Sequence, residues 1–257
     1  VETAKRRKKF AQKARQRIGE SLLPKISSEV GGRRRLLDQP PTLFHVEEKG
    51  DLVRAREAME DYRLSLSDSV RVLFDRYRLE DIAVKVVGIG SVGMRCLVGL
   101  FSSAEGDPLL LQFKEACPSV LAPYAGDSVY SNQGQRVVTG QRLMQSSSDI
   151  FLGWTRGRKG HHFFGRQLRD MKFSFPIELA PPKGLRLYAE VCGWTLARAH
   201  AKSGDAATIS GYLGRSDAFD QAIGRFALAY ADQNARDHAA LAAAVKSGRI
   251  EALVEVD

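Results

Sequence analysis

No apolar run in the chain approaches the roughly 20 residues that a membrane-spanning helix needs, so membrane insertion is not expected. Among its 257 residues are only three cysteines, Cys96, Cys117 and Cys192, and none falls in a C-x-x-C pair. That odd, scattered set supports neither a zinc knuckle nor a disulfide scaffold, and a reducing cytoplasm is the expected setting. The opening residues lack the apolar core of a secretory signal. The chain starts at Val1 and not at Met, which suggests a cropped or processed protein. Internal repeats and low-complexity tracts are missing as well. Aromatic residues make up 8% of the chain, and few are interleaved with the basic residues near the amino end. A stacking surface for single-stranded nucleic acid therefore has little support.

What is present begins with charge. The formal net charge is +9, and residues 1–35 hold twelve Lys or Arg against Glu2, Glu20 and Glu29. The excess is thus confined to one arm, and the rest of the chain is balanced. Lys5-Arg6-Arg7-Lys8-Lys9, followed by Lys13, Arg15 and Arg17, suits a solvated amphipathic helix, a phosphorylated or nucleotide partner, or nucleic acid. Nucleic acid is the least favoured of the three. Apolar residues form 44% of the chain, enough to bury a substantial core in one large domain or two packed ones.

Periodicity divides the chain. Residues 3–18 read as a helix, and Glu20 to His45, with Pro24, Gly31, Gly32, Pro40 and Pro41, as a linker. Helical patterns follow from about Leu52 to Tyr62 and from Ser67 to before Asp81. Short strands are predicted at 82–87, 94–101 and 109–114. A helix over Gln133–Gln145 comes next, then strands at 150–154 and 162–168. The remainder reads as mostly helical, with spans at about 185–202 and 217–246. The expected fold is α+β: a small antiparallel sheet with an embedded helix, followed by a mainly helical lobe. The corresponding divisions are 1–80, a basic arm and helical segment; 81–170, a sheet lobe; and 171–257, a helical lobe.

Gly88-Ile89-Gly90-Ser91-Val92-Gly93 matches G-x-G-x-x-G, a weak signal until its context is read. A dinucleotide-binding unit needs the glycines to open a helix that receives the pyrophosphate. Here they are followed by a strand pattern instead. Glycines joining two antiparallel strands let backbone amides approach phosphates, as in the kinase loop, and that arrangement calls for a cation on the following strand. Lys114 occupies that place. Its period-two neighbours are Leu110 and Gln112, whereas Leu109, Leu111 and Phe113 share the opposite, apolar face. An ordinary hairpin with a lysine at its edge is the plainer reading. No acidic residue occurs between Ser128 and Ser148 to pair with this lysine as a kinase helix would; Gln135 and Gln141 lie on the candidate helix, and Glu115 points away.

Further polar residues stand out. Asn234 and Asp237 interrupt an apolar stripe of Phe219, Ile223, Phe226, Tyr230, Leu241 and Val245, where buried polar groups require partners. Oxygen ligation of Mg²⁺ competes with a hydrogen-bond network to Arg or His. Asp232 lies off the stripe. His200 reads as a helix-end cap in preference to a general base, and His161 and His162 as a solvent-facing turn in preference to a metal pair. Arg166, Gln167, Arg169 and Asp170 follow the fifth strand, where contact with nucleotide and internal pairing are both open.

Several phrases carry a resemblance that covers nearly the whole chain: KVVGIGSVGMRC at 85–96, LLLQFKEA at 109–116, GQRVVTGQRLMQSSSDIFLGW at 134–154, RQLRDMK at 166–172, CGWTLARAHAKSGDAATISGYLG at 192–214 and AYADQNARDH at 229–238. They resemble the bacterial domain of unknown function 2252, a family similar to kinases and aminoglycoside phosphotransferases. The resemblance implies a kinase-like fold in permuted order, of which this chain is the carboxy-terminal portion. Phrases of the G-D-x-H-x-x-N and D-x-N-D-F-D type, which the resemblance assigns to catalysis and metal binding, do not occur here. It implies ATP and Mg²⁺ as cofactors, with Gly88, Gly90, Ser91 and Gly93 at the phosphates and Lys114 as their cation. His200, Asp205, Asp232, Asn234 and Asp237 also match its motifs. The function expected is nucleotide binding, with phosphoryl transfer to an unknown small molecule in the full-length protein and little or no activity in this chain alone. The alternative is a non-catalytic regulatory or interaction module with a small-molecule or protein partner.

Overall fold

The structure, a computed structural model, describes residues 19–45, 51–86, 88, 93–157, 160–168 and 175–252. The predicted helix at 3–18, together with Gly90, Ser91, Arg169 and Asp170, lies outside the described residues. The chain divides into two compact units, residues 1–199 and 200–257.

The first unit opens with α1 (Gly19–Ile26) and an antiparallel hairpin of β1 (Ser27–Val30) and β2 (Arg33–Leu36). This corrects the expected linker. Gly31 and Gly32 form its two-residue turn with φ of 60° and 74°, the positive values that such a turn demands at both central positions. Next come β3 (Leu43–Phe44), α2 (Asp51–Ser65), α3 (Asp68–Phe74), β4 (Tyr77–Lys85), β5 (Cys96–Ser103) and β6 (Pro108–Glu115). β4 begins at Tyr77, within the stretch whose apolar spacing suggested helix. After α4 (Ala122–Ala125) and α5 (Gln133–Met144), β7 (Gly153–Arg156) and β8 (His162–Gln167) complete the sheet. The 22-residue helix α6 (Pro182–Ser203) runs across the division between the units.

The main sheet has the order β3-β4-β5-β6-β8-β7, with every neighbouring pair antiparallel. β4, β5 and β6 form a meander. The chain then leaves through α4 and α5 and returns at the far edge as β7, and β8 fills the gap beside β6. The fold is therefore α+β with antiparallel sheets.

Alternation along β6 builds two cores. Leu109, Leu111 and Phe113 pack with Tyr62 of α2, Phe74 of α3, Phe101 and Phe163. Leu110 faces the other way and joins Leu23 and Ile26 of α1, Leu36, Val98, Leu100 and Leu168. A sheet covered on both faces explains why its strands read as nearly continuous apolar runs. The period-two neighbours of Lys114 are buried as well: Leu110 and Gln112 are 4% and 3% exposed, while Lys114 itself is half-buried. Tyr62 anchors the first core, edge-on to Phe74 and Phe113 with ring centroids 5.4 and 5.1 Å away. Its hydroxyl donates to the carbonyl of Phe151.

The second unit comprises the end of α6, α7 (Ala206–Leu213) and α8 (Ala218–Lys246). Asp205 caps α7 by accepting the Thr208 N–H at 2.8 Å. Along α8 the apolar stripe is exposed, with Phe226 at 62% and Tyr230 at 59%; Ala244 is the buried residue of this helix. Asn234 and Asp237 are thus exposed, contrary to the buried setting expected for them, because the second unit supplies no further layer over this stripe.

Candidate functional site

The turn joining β4 to β5 carries the glycine motif. Gly88 and Gly93 have φ of 59° and 77°, and a Cβ on either would meet nothing within 4 Å. Backbone conformation, not crowding, is what favours glycine at these two positions.

The strand register places a set of side chains on the sheet face beside this turn. Cys96 pairs with Lys114, and Lys114 with Phe164; Gln112 pairs with Val98 on one side and Arg166 on the other. Val84 pairs with Leu97, which brings Lys85 alongside Cys96. By period two, Lys85, Cys96, Gln112, Lys114 and Arg166 share one face. Burial pushes the Cys96 thiol up, while the positive charges of Lys114, Lys85 and Arg166 and a hydrogen bond from Gln112 act against it. Three cations therefore share the sheet face that carries this buried sulfur. Among the described residues, none of the three makes an ion pair with a carboxylate. The nearest partner of Arg166 is the Gln112 side-chain oxygen, 3.5 Å from its guanidinium, and its buried Nε has no hydrogen-bond acceptor.

The reverse face has the opposite character. Glu115 is buried and accepts the Arg95 backbone N–H at 3.0 Å, the Arg95 guanidinium at 3.2 Å and His161 Nδ1 at 2.8 Å. Burial pushes its carboxyl up, but the Arg95 contacts and His161 outweigh it and hold it below the usual range. His162 begins β8, and its Nδ1 receives the Gln133 N–H at 3.2 Å at the start of α5. Burial, then Arg156 and His161, lower its basicity. The two histidines are thus tied into the ends of the sheet, which corrects their reading as a solvent-facing turn.

Other residues singled out from sequence fall elsewhere. Gln135 and Gln141 on α5 make no side-chain hydrogen bond to Lys114. His200, Asp232, Asn234 and Asp237 are exposed in the second unit; Asp237 accepts from the Gln233 amide at 2.7 Å along its own helix. No group of three or more His, Cys, Asp or Glu suited to a metal ion occurs among the described residues. A cavity of about 410 Å³ lined by Arg56, Met59, Tyr77, Arg78 and Phe101 opens at the first core, on the sheet face away from Lys114.

Two features escaped sequence reasoning. Lys85 was read only as part of a strand, because its approach to Arg166 depends on a strand order that local pattern does not encode. The second is a histidine set between two acids: His45 Nδ1 lies 2.9 Å from Asp38 and Nε2 lies 3.1 Å from Asp81. The Asp81 carboxylate also accepts the Leu36 N–H at 2.9 Å. This network ties β2 and the end of β3 to β4. The backbone N–H of His45, and then its ring, hold the Asp38 carboxyl below its ordinary value.

Neither the curated proteins nor the solved structures contain a match to this chain. A family profile does match, over residues 1–244, and its description is an uncharacterized protein conserved in bacteria. The chain belongs to that bacterial family, DUF2252.

Proposed function

We propose that the first unit binds ATP through a kinase-like lobe in which Gly88, Gly90, Ser91 and Gly93 approach the phosphates and Lys114 neutralises them. The observation that carries this reading is Lys114 itself. It is a half-buried lysine on the third strand of a meander whose first turn bears the glycines, and no carboxylate among the described residues pairs with it. A glycine turn between the first two strands, a lysine on the third and a helix next is the order of parts in a protein-kinase nucleotide lobe. The β6-β8-β7 arrangement, with α5 inserted before β7, is consistent with it. Mg²⁺ would arrive on the nucleotide, since the described residues offer no carboxylate cluster for it. Phosphoryl transfer to a small molecule is proposed for the full-length protein.

Ligand-dependent melting tests the reading. A ligand that binds only the folded state raises the melting temperature with its concentration. ATP is expected to do so for this chain and to lose most of the effect in Lys114→Ala; an equal rise in both proteins would remove Lys114 from the site.

One observation favours a second reading, a regulatory module that keeps the phosphate contacts without transfer. α5 carries no acidic residue, so the ion pair by which a kinase helix positions its lysine cannot form from that helix. Under this reading ATP binds, and the full-length protein does not hydrolyse or transfer its terminal phosphate.

A further inference from the structure

We infer that Lys85 and Arg166 complete, with Lys114, a three-cation cradle that takes the polyphosphate tail of the ligand directly, without a divalent ion between tail and protein. The inference rests on the nucleotide-binding reading for the location of the site and goes beyond it in ligand class, added residues and metal dependence.

The cradle is assembled from three strands. Lys85 ends β4 beside Cys96, Cys96 pairs with Lys114 on β6, and Arg166 on β8 pairs with Gln112, two residues along from Lys114, so the three lie on one face of adjacent strands. Like charges on neighbouring strands of one face repel one another, and the cost grows as water is withdrawn. Elsewhere in this unit the two buried carboxylates are matched: Glu115 has Arg95 and His161, and Asp81 has His45 and Arg35. At the cradle no carboxylate matches the charge among the described residues. The unsatisfied Nε of Arg166 is a second sign, because an orphaned donor costs free energy that bound or native partners normally recover. Gln112, 3% exposed, orients the guanidinium through its side-chain oxygen at 3.5 Å.

A ligand suited to three cations carries several negative charges along a short chain of oxygens. One phosphate group carries at most about two charges at neutral pH, so a single phosphate leaves part of the cluster unanswered, whereas a triphosphate spans it. A divalent ion in the same place would add to the positive charge and find no cluster of Asp or Glu oxygens among the described residues. Direct contact by Lys and Arg, the usual phosphate-binding side chains, fits the surroundings better than a bridged metal.

The test is calorimetry on this chain with inorganic tripolyphosphate, pyrophosphate, orthophosphate and ATP, each in chelator and again with Mg²⁺. The proteins are the wild type, Lys85→Met, Arg166→Gln and the conservative Arg166→Lys, each checked for a native melt. Tripolyphosphate is expected to bind most tightly and orthophosphate most weakly, with Mg²⁺ weakening the tripolyphosphate complex. Lys85→Met and Arg166→Gln should each weaken it by about tenfold or more, and Arg166→Lys should restore part of the loss. Tripolyphosphate binding without ATP binding would uphold the cradle and overturn the nucleotide reading. ATP binding that needs Mg²⁺ and is indifferent to Lys85 and Arg166 would overturn the cradle and leave the nucleotide reading standing. Binding of neither would overturn both.

Discussion

Lys114 and Glu115 are consecutive residues of β6 with opposite electrostatic surroundings: the carboxylate is matched by Arg95 and His161 on one face of the sheet, while the ammonium on the other face pairs with no acid among the described residues. Period two separates them. One charge is structural and already satisfied, and the other is the one assigned to a ligand in the proposed function. This division predicts that the two residues respond to substitution in different ways.

Glu115→Gln should lower stability by about 1 kcal/mol at pH 7, since a neutral amide is a weaker acceptor for the partly exposed Arg95 and His161 donors, and should leave ATP affinity nearly unchanged. The folded carboxyl lies below its ordinary value, so its contribution is present above the unfolded pKa, about 4.3, and is lost as pH falls through the folded value. Urea melts from pH 7 to pH 3 should show the deficit shrinking below about pH 5. A deficit that stays constant over that range would assign the effect to packing and not to charge.

Gly134→Ala sets two effects against each other. Alanine in a helix is worth up to about 1 kcal/mol over glycine, but a Cβ at Gly134 would lie 2.2 Å from the Phe163 carbonyl oxygen. That atom is sheet backbone and cannot give way cheaply. The variant is expected to be destabilised by about 1–3 kcal/mol, measured by denaturant unfolding. A gain in stability would mean that α5 moves off β8 at little cost.

Tyr62 separates ring from hydroxyl. Tyr62→Ala removes a fully buried ring between Phe74 and Phe113 and should cost about 3–5 kcal/mol. Tyr62→Phe loses only the hydrogen bond to Phe151, about 1 kcal/mol plus the cost of an unpaired carbonyl. Equal losses in the two variants would show that the hydroxyl, and not the ring, holds α2 to the sheet.

Much of this was legible in the residues, and the failures have physical causes. β5, β6 and α5 announce themselves through the local apolar patterns at 94–101, 109–114 and 133–145. The β1–β2 hairpin was hidden because Arg33-Arg34-Arg35 carries no apolar period, although Gly31-Gly32 is a two-residue turn signal. Tyr77 to Glu80 read as helix because its apolar residues also fit a spacing of three and four; pairing with Phe101 to Ser103 decides for strand. Lys114 could be singled out because its glycine turn is near in sequence. Lys85 and Arg166 reach it only through a sheet in which β8 inserts beside β6, and no local pattern specifies that order. The α8 stripe was read as buried from its period alone, yet a period shows which residues share a face and not whether anything covers that face.

The most direct test of the account is titration of ATP into this chain and into Lys114→Ala by calorimetry, with matched melts confirming that both are folded. The account predicts saturable binding by the wild type and a loss of about tenfold or more in the variant, because the removed contact is charge-assisted. Absence of binding by the wild type, or equal affinity in the two proteins, would contradict it.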